Sequence, residues 1–500
     1  MKRIAIIGGG IAGVSAAYEV AKQQQAGAHV ECILFEATHR LGGIVETERR
    51  DGFVLECGPD SWVTEKSEAR ELAVELGLES DVIFSQDERR KTYLADGRSL
   101  HAMPDGMRMM VPVQWGAMLN SPQLSWQAKL AYLREPKLAE QLKATALDAT
   151  NPPRDESVRD FIFRHFGAEI ADTVAAPLLA GVFGGDISVL SARAVLPAYV
   201  ALEREHGSLI EGVRKRARAA DFAAPVFSTL RKGIDGLIDR MASHIPSKNV
   251  YCGSRMEAIE PTGNGWRIYV DSPDVEERAL GSTFDALLIA APAKATARLL
   301  ALLNASMAEL LPRRSSSAIV VNFGFAPEQA GTMRIPLGFG FLVRQRGETQ
   351  PTSRKDPQYD LELLAQRALL ACTFVDQKFR HRAPEGGRLL RAFFGGPNAD
   401  DLLQLDDAKL HALTHAALER ILGKLPEPAV SLIRRLPDSL PLYLVGHLER
   451  MAELESQAAK FPHLRFIGSA YHGVGLPDVI RGARSAARDT ISTLAALCSS

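Results

Sequence analysis

The segment from Arg3 to Arg49 constrains the fold more than any other stretch of the 500 residues. Ile4 to Ile7 is a short apolar run of the kind that forms a buried parallel strand. Gly8, Gly10 and Gly13 follow as G-x-G-x-x-G, with Gly9, Ile11 and Ala12 between them, and Val14 to Gln23 has the pattern of a helix. Val30 to Phe35 reads as a second strand, and Glu36 stands at its end, 23 positions after Gly13. Glycines at this spacing let the backbone turn tightly, approach a pyrophosphate and pack a helix on a strand. The helix N-terminus then offers its unpaired N–H groups to the phosphates, and the acid accepts hydrogen bonds from a ribose. Strand, helix, second strand and acid agree on a dinucleotide-binding βαβ unit; the competing reading is a glycine-rich turn in an ordinary α/β unit.

The continuation bears on which dinucleotide. Ala37-x-x-Arg40-x-Gly42-Gly43 follows Glu36 directly, then Ile44 and Thr47. A cation and exposed glycine amides suit a diphosphate. The run resembles the second phosphate-contact motif of FAD enzymes related to monoamine oxidases, phytoene desaturases and protoporphyrinogen oxidases. That resemblance makes FAD, rather than NAD, the expected cofactor.

Composition sets the outer limits. A chain of this length predicts two or three domains or subdomains, and 46% hydrophobic residues suffice for a sizeable core. A formal net charge of −1 argues against nucleic-acid binding. Cys32, Cys57, Cys252, Cys372 and Cys498 are odd in number, scattered and without a C-x-x-C, which predicts neither a disulfide framework nor a zinc site. No transmembrane helix is expected: the apolar segment Ala286 to Leu303 is broken by Pro292, Lys294 and Arg298. Nor does the N-terminus read as a signal peptide, because its apolar run is too short. A cytoplasmic protein is predicted, with contact to a membrane surface left open.

Along the chain, Phe53-Val54-Leu55 reads as a strand before the turn at Gly58, Pro59, Asp60 and Ser61. A helix is expected from Ser67 to Leu78 with Ser67 as its cap, then a hairpin around Asp96-Gly97. Residues 107–217 look mostly helical. Strands are expected at Asn249–Glu260, Gly265–Ser272, Phe284–Ala291, Ala318–Phe325, Gly338–Val343, Leu369–Phe374 and Leu389–Phe394. A helix is expected over Leu402–Leu422, an exposed excursion over 345–367, and a final strand, glycine loop and helix over Arg465–Leu497. A helix N-terminus behind Gly473-Val474-Gly475-Leu476 is again a site for an anion or a ring edge.

Several longer motifs together resemble the oxygen-dependent porphyrinogen oxidases, namely protoporphyrinogen oxidase and its bacterial coproporphyrinogen-oxidising relatives. They are Leu179-Ala180-Gly181-Val182-Phe183-Gly184-Gly185-Asp186, Tyr93 through Pro104, Gly338-Phe339-Gly340-x-Leu342-Val343, and Gly468-x-x-Tyr471-x-Gly473-Val474-Gly475-Leu476-Pro477-Asp478. The resemblance spans nearly the whole chain. Amine oxidases of the same fold usually carry Gly-Glu-x-Thr where this chain has Gly468-Ser469-Ala470-Tyr471, which counts against an amine substrate. Val479, Lys232 and Leu442 depart from residues frequent in the relatives.

The resemblance implies an α/β fold: a discontinuous Rossmann-like FAD-binding domain, a mixed-sheet substrate domain and a helical insertion. The expected order is FAD-binding 1–85, a substrate-domain hairpin 86–105, a helical insertion 106–218, FAD-binding 219–298, substrate binding 299–440 and FAD-binding 441–500. FAD would be held by Gly8, Gly9, Gly10, Ile11, Ala12, Gly13, Glu36, Ala37, Arg40, Gly42, Gly43 and Ile44. Gly58, Pro59, Asp60, Ser61, Met256, Val474, Gly475 and Leu476 would complete the site. A tetrapyrrole would be held by Leu342 and Phe393 on its faces, Gly181 and Gly340 beside them, and Arg90 at a propionate. The competing readings of these residues are ordinary strand core and a solvated Arg89-Arg90-Lys91 run.

The implied reaction is a six-electron dehydrogenation of a porphyrinogen in heme biosynthesis, with molecular oxygen as acceptor and hydrogen peroxide as product. The flavin carries the chemistry, and no protein acid or base and no metal is expected. Transient contact with the next enzyme of heme synthesis is a further implication. A carotenoid-type desaturase and a non-catalytic flavin-binding partner are the alternatives.

Overall fold

The computed structural model describes residues 1–146, 154–219, 225–271, 283–344, 357–396 and 398–499. A five-stranded parallel sheet has the order Val250–Tyr251, Val30–Phe35, Lys2–Ile7, Ala286–Ile289, Leu464–Phe466. Strands far apart in sequence therefore meet in one sheet. Alternation along the first strand explains its two covered faces. Ile4 and Ile6 pack with Val14 and Val20 of the helix Ile11–Gln25 and with Ile480 and Ala483 of the helix Leu476–Ser499. Ala5 and Ile7 pack on the other side with Trp266, Phe284 and Leu299.

The second sheet is mixed and seven-stranded, in the order Val430–Pro441, Ser315–Phe325, Arg388–Phe394, Leu369–Phe374, Gly340–Val343, Thr92–Asp96, Ser99–Ala102. One face is sealed: Ile319, Val321, Phe341, Cys372, Ala392 and Phe394 bury against Leu410, Leu413 and Leu418 of the helix Asp407–Leu422. Residues of the opposite parity face the other way, toward the interior between the two sheets.

Between residues 107 and 219 the chain is mainly helical, but Met107–Arg108 and Val111–Pro112 pair as two short strands. The continuous helical run Val158–Phe183 has a mean hydropathy of 1.4 and is long and apolar enough to cross a membrane. It displaces Ala286–Leu303, which is a strand followed by the helix Ala293–Leu303, as the segment to weigh. The run is kinked and only partly buried, with Phe163 52% and Val182 53% exposed. Gly167 breaks the helical backbone at φ 81°, ψ 174°, and Phe161, Ile162, Phe166, Ile170 and Leu179 are buried among neighbouring helices.

Other expectations change in detail. Ser67 precedes the helix Glu68–Glu75, but its side chain makes no capping bond. The strand expected at Asn249–Glu260 is two pieces, Val250–Tyr251 and Arg255–Thr262. Within the supposed excursion, residues 345–356 lie outside the described set. Pro357–Ala368 is a helix whose Leu361, Leu364, Ala365 and Ala368 pack on the mixed sheet. The strand Val430–Pro441 was not foreseen, because its Arg434-Arg435 interrupts the apolar pattern.

Candidate flavin and substrate site

The opening turn is built for a diphosphate. Gly8 adopts φ 107°, and a Cβ on Gly13 would stand 1.8 Å from the Gly8 carbonyl oxygen, so helix and turn touch backbone to backbone. Gly10 caps the helix without a side-chain hydrogen bond, leaving the first helical N–H groups free to meet an anion. A Cβ on Gly10 would meet nothing within 4 Å, so the space in front of the helix is a cradle. Glu36 Oε2 accepts from the Gly9 N–H at 2.6 Å and Oε1 from the Thr38 N–H at 2.7 Å, which fixes the carboxylate beside that space.

The second motif lies against the first. The Gly42 N–H donates to the Gly9 carbonyl at 2.8 Å, and a Cβ on Gly43 would stand 3.2 Å from Gly10 Cα. Arg40 is exposed and at the same time bonded to its own turn. Its guanidinium donates to the carbonyls of Gly43 at 2.6 Å and Leu41 at 3.1 Å, and pairs with Glu46 at 3.0 Å. It braces the Gly42-Gly43 turn. Ile11 and Ala12 open the helix, Ala37 is exposed, and Ile44 is 40% exposed, where the chain doubles back to Gly58. A Cβ on Gly58 would stand 1.8 Å from the Ile44 carbonyl oxygen.

Met256 sits at a bulge in the strand Arg255–Thr262, just beyond the segment held to Glu36 by Glu36 N–H to Tyr251 O and Ser254 N–H to Glu36 O. The closing helix begins at Leu476, so Val474, Gly475 and Leu476 form its entry. A Cβ on Gly468, ahead of this loop, would stand 3.6 Å from Ala12. The residues named for FAD thus converge from separated segments, and the cradle, the free helix N-terminus and the carboxylate fit a flavin dinucleotide.

The proposed substrate residues lie on the interior face of the mixed sheet. Backbone register sets one row across it: Arg434, Val320, Phe393, Ala371, Leu342, Leu94, His101. Phe393 and Leu342 are separated by one strand, hence about 10 Å apart, and Ala371 leaves a shallow trough between them. A Cβ on Gly181 would stand 3.9 Å from Leu342 Cδ2, so the helix Ala176–Phe183 roofs this end. The neighbouring row on the same face is polar: Asn322, Arg391, Thr373, Gly340, Thr92. Gly340 is needed there at φ 138°, since a Cβ would stand 2.0 Å from the Cys372 carbonyl oxygen. Arg90 lies two residues before Thr92; it is exposed, with its guanidinium 3.3 Å from Asp87.

The polar row joins the sheet to the cofactor turn. Arg391, 2% exposed, donates through Nη2 to the Gly58 carbonyl, and its guanidinium lies 4.5 Å from the centre of the Phe393 ring. Lys378 Nζ is 3.0 Å from both Asp60 Oδ2 and Ser61 Oγ. Burial alone would raise the Asp60 carboxyl, but Lys378 and Arg391 outweigh it and hold it well below the usual range. Burial also lowers the ammonium of Lys378 and the guanidinium of Arg391, with Asp60 opposing. Asn322 donates to the Glu56 carbonyl at 3.2 Å from the same face. Sequence reasoning missed Lys378, Arg391 and Asn322. For Arg391 and Asn322 the available signal was a cation or amide inside an apolar strand, as in Leu389-Leu390-Arg391-Ala392-Phe393; Lys378 ends the helix Val375–Lys378 and carried no such signal. His472, beside the closing loop, is exposed and paired with Glu455 at 2.6 Å.

Comparison with known proteins agrees with this architecture. The family model described as flavin containing amine oxidoreductase matches residues 11–491. Coproporphyrinogen III oxidase of Bacillus subtilis (strain 168) is 29% identical over 503 residues, covering 99% of this chain and 98% of that one. Coproporphyrinogen III oxidase of Propionibacterium freudenreichii subsp. freudenreichii is 30% identical over 534 residues, covering 98% and 90%. A crystal structure of a protein from Exiguobacterium sp. 255-15 superposes with a TM-score of 0.78 at 29% identity, covering 98% of this chain and 99% of that one. With the match running from the opening turn to the closing helix, the chain belongs to the flavin containing amine oxidoreductase family.

Proposed function

We propose that this FAD enzyme oxidises a porphyrinogen, coproporphyrinogen III or protoporphyrinogen IX, to the porphyrin, with molecular oxygen as final acceptor, in heme biosynthesis. The observation that carries the reading is the row Phe393–Ala371–Leu342, roofed by Gly181 and joined to the cofactor turn by Arg391. A flat apolar ring with acidic arms calls for apolar walls, a small residue between them and cations at the rim. Coproporphyrinogen III oxidases among the relatives support the same substrate class, and their bacterial origin supports a cytoplasmic setting.

Bound FAD supplies the hydride acceptor. The chain positions the substrate: Leu342 and Phe393 bear on its faces and exclude water, and Arg90, steadied by Asp87, meets a propionate. Glu36 and the N-terminus of Ile11–Gln25 hold the dinucleotide end of the cofactor. No side chain is assigned as acid or base.

Both porphyrinogens should be supplied side by side to purified, FAD-loaded protein while porphyrin fluorescence and oxygen uptake are followed. Fluorescence should rise with at least one of them. Leu342→Ala should keep its flavin while KM rises about tenfold, the weight of roughly 1.4 kcal/mol of lost contact. Flavin that stays oxidised with both porphyrinogens under anaerobic conditions would overturn the reading; reduction by a polyene instead would mark a desaturase.

A further inference from the structure

Five charged side chains cluster behind the turn Gly58–Ser61, and their charges do not cancel. Glu56 pairs with Arg382 at 2.9 Å, and also accepts from the Thr47 hydroxyl at 2.6 Å and the Ile234 N–H at 3.1 Å. Arg382 is further tied to the Thr229 hydroxyl at 2.7 Å and the Leu230 carbonyl at 2.9 Å. That pair is neutral and satisfied. Asp60, by contrast, serves two cations: Lys378 at 3.0 Å and Arg391 at 3.6 Å.

Lys378 is 8% exposed and Arg391 2%. Both rest on aromatic faces, Lys378 4.4 Å from the centre of Phe227 and Arg391 4.5 Å from that of Phe393. Arg391 Nε is buried and finds no acceptor among the described residues. One buried positive charge is therefore in excess, and keeping it away from water is costly unless an anion meets it in the working protein. The turn these residues hold lies between the diphosphate motifs, through Gly58 on Ile44, and the entry of the closing helix, where Lys66 pairs with Asp478 at 2.5 Å.

We propose that Lys378 and Arg391, anchored on Asp60, are positioning residues that fix the Gly58–Ser61 turn for the flavin and present the bound cofactor with an uncompensated positive charge. This rests on the cofactor reading of that turn. Uptake of two electrons and one proton leaves the flavin ring with one negative charge, and the buried excess offsets it. The cluster thereby favours the reduced cofactor, and with it hydride removal from the substrate.

The test is the two-electron midpoint potential of the FAD-loaded protein, titrated anaerobically against a reference dye, with FAD content measured in parallel. Lys378→Met removes a charge while Arg391 stays near Asp60. Its midpoint should fall by about 30 mV or more, a tenfold change in the reduction equilibrium. Asp60→Asn adds to the excess and should raise the midpoint, and Lys378→Arg should restore the wild-type value. A purely structural clamp predicts shifts of the same sign, or none, in Lys378→Met and Asp60→Asn, and that result overturns the proposal. If Lys378→Met does not retain FAD, Asp60→Asn decides alone: a midpoint at or below wild type overturns it. These readouts use no porphyrinogen, so they stand or fall separately from the substrate assignment.

Discussion

The glycines of the opening turn have different physical jobs, although they look equivalent in the motif. At Gly13 a Cβ would collide with backbone at 1.8 Å, so any substitution there breaks the helix–strand contact itself. At Gly10 a Cβ would meet nothing within 4 Å, and the backbone sits at φ −67°, which alanine adopts without strain. Gly10→Ala should therefore leave the melting temperature of the FAD-free protein unchanged while the Kd for FAD rises about tenfold or more, an expected loss of roughly 1.4 kcal/mol. Gly13→Ala should lower that melting temperature as well. Calorimetric titration with FAD and thermal unfolding of both variants separate the two roles. Arg40, expected as a cation for phosphate, is exposed and also braces the glycine turn through the carbonyls that turn presents.

At the scale of elements, alternation decides most of what the mixed sheet does. Ala392 and Phe394 face the helix Asp407–Leu422, while Arg391 and Phe393 face the interior, so adjacent residues serve the core and the proposed site. The helical layer shows a different device. His165 is buried on the helix Val158–Ile170, with Nδ1 2.9 Å from Glu135 and Nε2 3.1 Å from Glu203. Carboxylates only accept hydrogen bonds, so both ring nitrogens donate and the ring is an imidazolium. Burial would lower its pKa, but the two glutamates outweigh burial and raise it. A raised pKa means that the stabilisation is fully present below the unfolded value of 6.5 and is lost as pH rises through the folded value. His165→Leu leaves two buried carboxylates without this partner and should cost about 3–5 kcal/mol. Urea unfolding should show that cost below pH 6.5 and a shrinking difference from wild type at alkaline pH.

For the molecule as a whole, the closing segments matter beyond their own length. His447 is 1% exposed, stacked on Tyr443 with ring centres 4.0 Å apart, and donates through Nε2 to the Tyr471 carbonyl at 2.9 Å. It thus ties the stretch after Val430–Pro441 to the loop leading into the closing helix. Burial pushes its pKa down to about 4. A depressed histidine pKa works in the opposite sense to His165: its contribution is present above the unfolded value of 6.5 and lost as pH falls toward 4. His447→Phe should flatten the loss of thermal stability between those two pH values. An unchanged slope would assign the acid sensitivity to other groups.

The local pattern determined a great deal by itself. The strands Val30–Phe35 and Leu369–Phe374 fall where their apolar runs predict, and the glycine spacing before Glu36 specifies a dinucleotide turn because that geometry is confined to a few consecutive residues. Local pattern failed where charge interrupts it, as at Arg434-Arg435 within Val430–Pro441. It also carried no information on register. Only the tertiary structure aligned Phe393, Ala371 and Leu342 into one row, set Gly181 over its end, and brought Asp60 to Lys378 and Arg391 from a distant part of the chain. The opening turn is encoded by residues in covalent sequence, whereas the proposed substrate face and its buried charge exist only once strands from separate parts of the chain are paired.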